Sequence, residues 1–176
     1  YLIRVFRTQN EEHVTQTPQS TGVLSMAELQ AHGAQDAEGM ATADKPLLAN
    51  VRQEWDWVKR GIEEIIAEQP QLTFRPEDVY AAVLNGEALL WVAPEGFVIT
   101  TEECDEFTGA KTFLVWLAWA KERGQSCVIK YYSFFAQAAK EHGFTSIEVR
   151  TPVTSLEGYL LAEGWKKDTV IYTREL

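Results

Sequence analysis

Between residues 47 and 69, Val51, Trp55, Val58, Ile62, Ile65 and Ile66 recur at i, i+4, i+7, i+11, i+14 and i+15, a single apolar stripe at helical period. The pattern predicts a long amphipathic helix ended by Pro70, its polar face carrying Asp56 with Arg60 and Lys59 with Glu63 at i,i+4. A second helix is predicted from Arg75-Pro76-Glu77-Asp78, with proline at its first position and acids in its first turn, to Asn85-Gly86. The period then changes to that of strands over residues 88–93, 96–101 and 111–119. Turns at Pro94-Glu95-Gly96 and around Asp105 to Gly109 separate these runs, which read as an antiparallel meander. A helix over 126–142, a strand over 147–150, a helix over 155–163 and a last strand over 169–173 complete the order α-α-β-β-β-α-β-α-β.

The N-terminal part differs in kind. Tyr1 and Phe6 are its only aromatic residues before Trp55, so the core belongs to the C-terminal part. Residues 1–7 read as one short strand. From Thr8 to Pro46 the only larger apolar residues are Val14, Val23, Leu24, Met26, Leu29 and Met40, too few to offset the entropy of ordering the segment alone. The division is therefore an extended arm over residues 1–46 and a domain over 47–176. The expectation for the arm is docking on a protein partner, through Tyr1, Ile3 and Phe6 as an added strand and through Leu24, Met26 and Leu29. Because the chain opens on Tyr1 rather than Met, residues upstream are expected to be missing.

Composition narrows the function. With 45 % apolar residues in 176, a single domain can bury a full core. A formal charge of −10 repels phosphate backbones and anionic lipid, which argues against nucleic acid or a membrane surface as partner. The longest apolar run, Phe113 to Ala120, is far short of the roughly 18 residues needed to span a bilayer. Cys104 and Cys127 form no CxxC, and His13, His32 and His142 supply no ligand pair, so no metal is expected and the thiols read as free. Cys127 has no histidine near it in sequence to activate it as a nucleophile.

After the arm, this element order resembles the GCN5-related N-acetyltransferase superfamily, over about residues 47–176. The resemblance implies an α+β fold with a mixed sheet flanked by helices. In that family a turn after the fourth strand cradles the pyrophosphate of acyl-coenzyme A at a helix N-terminus. Lys121, Arg123, Gly124, Gln125 and Ser126 stand at that place, with Lys121 where the family has Gln or Arg and Ser126 where it has Gly or Ala. The family's thiolate-protonating tyrosine has Leu160 at its position when Gly164-Trp165 is aligned with the family's Gly-Phe. Tyr159 is one residue away, a rotation of about 100° on a helix. Glu102, Glu103, Asp105, Glu106 and Glu148 are the acids near the expected site, with Glu102 and Tyr159 the candidates for proton transfer.

Trp55 and Trp57, and again Trp116 and Trp119, are spaced so that one of each pair is expected at an interface or in solvent. More specifically, residues 54–120 resemble GNAT-like proteins encoded among tailed-bacteriophage structural genes, through Glu54-Trp55-Asp56-Trp57-Val58, Arg75-Pro76-Glu77-Asp78-Val79-Tyr80, Leu89-Leu90-Trp91-Val92, Gly96-Phe97-Val98 and Val115-Trp116. That resemblance implies a virion or assembly component, oligomeric or in multiple copies, located in the virion or the host cytoplasm, with no cofactor expected. The alternative is an active N-acyltransferase using acetyl-CoA on an unidentified amine.

Overall fold

The computed structural model describes residues 45–122, 124–171 and 174. The expected strand over residues 1–7, the docking residues Tyr1, Ile3, Phe6, Leu24, Met26 and Leu29, and Arg123 lie outside the described residues. A five-stranded sheet in the order β1-β2-β3-β4-β5 forms the centre: β1 (Leu47–Leu48), β2 (Ala88–Ala93), β3 (Gly96–Cys104), β4 (Lys111–Ala120) and β5 (Ser146–Val149). Neighbours pair antiparallel except β4 and β5, which run parallel across a helical crossover.

Helix α1 (Val51–Glu68) begins at the first residue of the apolar stripe, four residues into the 47–69 segment, and the reason is tertiary. Leu47 and Leu48 pair with Val92 and Trp91 as an edge strand, and the Asn50 side chain then accepts from the Arg52 amide at 3.0 Å to cap the helix. Helix α2 (Pro76–Leu84) starts at its proline, with the Arg75 amide donating to the Asp78 carboxylate at 2.8 Å. Both helices pack on one face of the sheet, where Val58, Ile62, Val79, Leu90, Phe97, Ile99 and Leu117 are buried together.

The second face holds a separate core of Leu89, Trp91, Val98, Phe113, Val115, Val128 and Phe135. It is covered by α3 (Cys127–Lys130) and α4 (Tyr132–Glu141), which the sequence pattern joins into one helix. The break falls at Tyr131, whose backbone leaves helical geometry (φ −107°, ψ 20°) while its hydroxyl donates to Glu95 at 2.7 Å. On this face the Trp91 indole N–H donates to Thr100 Oγ1 at 2.9 Å, giving the buried hydroxyl a partner.

Helix α5 (Ser155–Ala162) follows β5, with Leu156, Tyr159 and Leu161 exposed. The expected last strand does not form over Thr169 to Ile171; Tyr172 and Thr173 lie outside the described residues. Among the described residues the outer edge of β5 therefore has no partner strand.

The four tryptophans also depart from expectation. Two residues apart on a helix is about 200° rather than strand alternation, so α1 wedges Trp55 against Tyr80 of α2 and Trp57 against Phe97 and Trp119 of the sheet. Trp116 and Trp119 share one face, because β4 carries a bulge at Trp116 that shifts the alternation of the residues after it. Each indole is half-buried and packs against aromatic residues of this chain.

Candidate active site

Two parallel strands that pair for only part of their length leave a gap where they part. β4 and β5 pair from Thr112 with Ser146 to Val115 with Val149. Beyond that point residues 116–120 have no strand partner on the β5 side among the described residues. After Val149 the chain leaves the sheet through Arg150, Thr151 and Pro152, and proline has no N–H with which to continue a ladder.

The parting coincides with the β4 bulge. Thr100 of β3 faces Val115 and Ile99 faces Leu117, so Trp116 is an extra residue with no opposite number. One extra residue reverses the strand's alternation. Phe113 and Val115 point to the α3–α4 core, whereas Leu117 and Trp119 point to the α1–α2 core. Trp116 turns toward the α1–α2 side, its ring 5.8 Å from that of Phe74.

The gap is a cleft of about 200 Å³. Ile65 at the end of α1 borders it on one side of the sheet, Ser126 and Ile129 on the other, and Leu160 of α5 lines it together with Trp116 and Ala118. Its lining is mainly apolar, with Arg150 as a charged member. The guanidinium donates to Glu103 Oε1 at 2.7 Å and to Glu148 Oε2 at 2.7 Å, and these bonds, led by those to Glu103, raise its pKa further. Glu103 and Glu148 thereby come together from different strands.

The residues singled out in the sequence occupy varied positions. Ser126 borders the cleft and caps α3, its Oγ accepting from the Ile129 amide at 3.4 Å. Gly124 has a left-handed backbone (φ +85°), and no atom lies within 4 Å of where a Cβ would stand. Lys121 is engaged elsewhere: its ammonium donates to the Pro94 carbonyl at 2.7 Å and lies 5.7 Å from the centre of a Trp57 ring. Gln125 donates to Glu122 at 2.7 Å. Glu102 forms an ion pair with Lys111 at 3.0 Å, toward the β3–β4 hairpin and away from the cleft. Tyr159 is half exposed and does not border the cleft, whereas its neighbour Leu160 does.

Cys127 is buried, with desolvation the main cause of a raised thiol pKa, so it is a poor nucleophile. Glu95 stands in the β2–β3 turn and does not border the cleft. Its carboxylate accepts from the Lys130 ammonium and, at 2.7 Å, from the Tyr131 hydroxyl, and these bonds, Lys130 first, hold its pKa down at about 2. The β2–β3 turn is thus tied to α3. Of the cleft's wall residues, sequence reasoning reached Leu160 through the family alignment and Ser126 through the turn, and missed Trp116 and Arg150 as site residues. For Trp116 and Arg150 the available signal was Pro152, which marks where β5 must end.

A mixed sheet whose fourth and fifth strands splay at a bulge, with helices on both faces, is the fold of the GCN5-related N-acetyltransferases. Solved structures of this class share it over three quarters of the chain. Ribosomal-protein-alanine N-acetyltransferase from Brucella melitensis biovar Abortus 2308 matches with a TM-score of 0.54 at 20 % identity, over 75 % of this chain and 99 % of that one. Glucosamine-6-phosphate N-acetyltransferase from Arabidopsis thaliana gives 0.52 at 11 %, over 74 % and 97 %. An aminoglycoside acetyltransferase from an uncultured soil metagenomic sample, in complex with sisomicin, gives 0.54 at 14 %, over 75 % and 94 %. No protein-family profile matches the sequence, and no curated protein matches it. None of these neighbours connects the chain to a virion.

Proposed function

We propose that the chain is an acyl-coenzyme A-dependent N-acyltransferase that takes the donor's thioester arm into the cleft between β4 and β5. The observation that carries this reading is the parting of the strands at Val115 and Val149, coincident with the Trp116 bulge. A slender, largely apolar arm suits a narrow apolar cleft, and the unpaired strand edge offers amide partners along residues 116–120. The open space around left-handed Gly124 and the position of Ser126 at the cleft border leave room for the donor's phosphates at the mouth.

The donor supplies an activated thioester carbonyl. The chain's part is positioning and charge stabilisation. A bulge takes backbone groups out of the β3–β4 ladder, and an N–H so released stabilises charge developing on a carbonyl oxygen. With Cys127 buried and held protonated, transfer runs directly to an acceptor amine rather than through an acyl-enzyme. The structural neighbours' acetyltransferase names favour this reading over that of a virion component, which rests on the sequence resemblance over residues 54–120, the altered phosphate turn, the absent tyrosine and an arm outside the described residues.

Titration calorimetry with coenzyme A and acetyl-CoA, joined to an assay of free thiol released in the presence of an amine panel, tests the reading. A dissociation constant in the micromolar range, about −8 kcal/mol, is expected. Ala118 is exposed and borders the cleft, so Ala118→Trp should fill it without unfolding the domain and abolish binding. Absence of binding by the unaltered chain, or unchanged affinity in Ala118→Trp, overturns the proposal.

A further inference from the structure

The loop between β3 and β4 carries a side chain for which the domain itself has no use. Phe107 is 95 % exposed, in the turn Asp105-Glu106-Phe107-Thr108-Gly109. The turn is well ordered by its own hydrogen bonds. Asp105 Oδ1 accepts from the Phe107 amide at 3.0 Å, the Thr108 amide at 2.7 Å and the Thr108 hydroxyl at 2.9 Å. These bonds, that of the Thr108 amide first, hold the Asp105 carboxyl below its usual pKa. The Asp105 amide donates to the Ala110 carbonyl and the Gly109 amide to the Asp105 carbonyl, both at 2.8 Å, and so close the neck. A phenyl ring presented on a turn already in place needs little further ordering when it is buried against another surface.

A groove of the opposite character lies beside the hairpin, at the end of the sheet where β4 and β5 begin. Its volume is about 510 Å³, and Tyr132, Phe144, Ile147 and Trp165 give it an apolar wall. The rings of Tyr132 and Trp165 stand 5.4 Å apart, and Phe144 meets buried Phe113 edge-on at 5.3 Å, so packing fixes that wall. Lys140 and Lys166 border the groove against one acid, Glu163, and neither lysine has an ion-pair partner among the described residues. The turn, by contrast, holds two acids and no base. Thr145 of the groove donates to the Lys111 carbonyl through its amide at 2.8 Å and its hydroxyl at 3.0 Å, which sets the groove against the hairpin's foot. Phe107, exposed as it is, does not enter the groove of its own chain.

We propose that the chain forms a two-fold dimer in which each copy's Phe107 enters the other copy's groove and Glu106 meets Lys140 and Lys166. Because the hairpin's foot and the groove adjoin, one two-fold rotation makes both contacts at once, and the assembly closes at two copies. The ring against aromatic walls keeps water from the ion pairs at its rim. Charge selects this occupant. Each copy carries −10, so two copies repel except where an acidic projection faces a basic recess. No described residue lines both the groove and the cleft between β4 and β5, so dimerisation is independent of the acyltransferase reading.

Sedimentation velocity on the full chain, from about 1 to 200 µM, reads the assembly directly. A monomer–dimer equilibrium is expected, and Phe107→Ser and Lys140→Glu should each raise its dissociation constant at least about tenfold. Both side chains are exposed, so each variant should keep the circular dichroism of the unaltered chain. An equal mixture of the two variants separates this contact from any other dimer. The mixed pair holds one undamaged contact, the hairpin of Lys140→Glu in the groove of Phe107→Ser, and should associate at least about threefold more tightly than either variant alone. A chain that stays monomeric at the highest concentration overturns the proposal, as do a dimer indifferent to Phe107→Ser and a mixture no tighter than its components. None of these results bears on coenzyme A binding, which calorimetry tests separately.

Discussion

Replacing Glu95 by glutamine should cost stability in a way that depends on pH. The carboxylate stands in the β2–β3 turn and accepts from Lys130 and Tyr131, so it ties that turn to α3 and α4. Its pKa falls from an ordinary 4.5 to about 2. A folded-state pKa below the unfolded one contributes stability above pH 4.5 that is lost as pH falls toward about 2. At about 1.4 kcal/mol per pH unit the difference sets a ceiling near 3.4 kcal/mol. The Lys130 side chain is 54 % exposed, so solvent screens its charge, and about 1–2 kcal/mol is the expected contribution. Glutamine keeps an acceptor for the Tyr131 hydroxyl and loses the charge.

Urea unfolding followed by tryptophan fluorescence at pH 7 and pH 3 measures the effect. Glu95→Gln should be about 1–2 kcal/mol less stable at pH 7, and the gap should shrink by more than half at pH 3, where the unfolded carboxyl is already protonated. Salt at 1 M should also narrow it at pH 7. A gap that is constant with pH, or absent at pH 7, would refute the reasoning.

Two further substitutions test the sheet. At Gly96, where β3 begins, an added Cβ would lie 2.0 Å from the Trp119 carbonyl oxygen, so Gly96→Ala should force β3 from β4 and cost about 1–3 kcal/mol in the same unfolding assay. Thr100→Val removes the acceptor of the buried Trp91 indole N–H and should cost about 1–3 kcal/mol despite its nearly equal volume; unchanged stability would mean that the indole finds another partner.

Much of the architecture is a local property of the chain and was legible as such. The stripe from Val51 to Ile66 defines a helix, Pro76 with Glu77 and Asp78 starts another, and Gly96 marks the turn between two strand-like runs. Their order alone carries the resemblance to the acetyltransferase fold. What the pattern could not reveal depends on contacts between distant residues. Leu47 and Leu48 leave the helix because Val92 and Trp91 offer a strand edge. The helix over residues 126–142 breaks at Tyr131, which is bonded to a turn 36 residues earlier. Trp116 looks like any alternating strand residue until Ile99 and Thr100 are paired to Leu117 and Val115, which makes it the extra one. The cleft exists only because of that register and because β5 ends at Val149, so its walls come from five elements that no sequence spacing relates. Periodicity reports how one segment meets an apolar surface; register, bulges and the parting of strands are set by pairwise hydrogen bonding between segments, which a one-dimensional pattern does not encode.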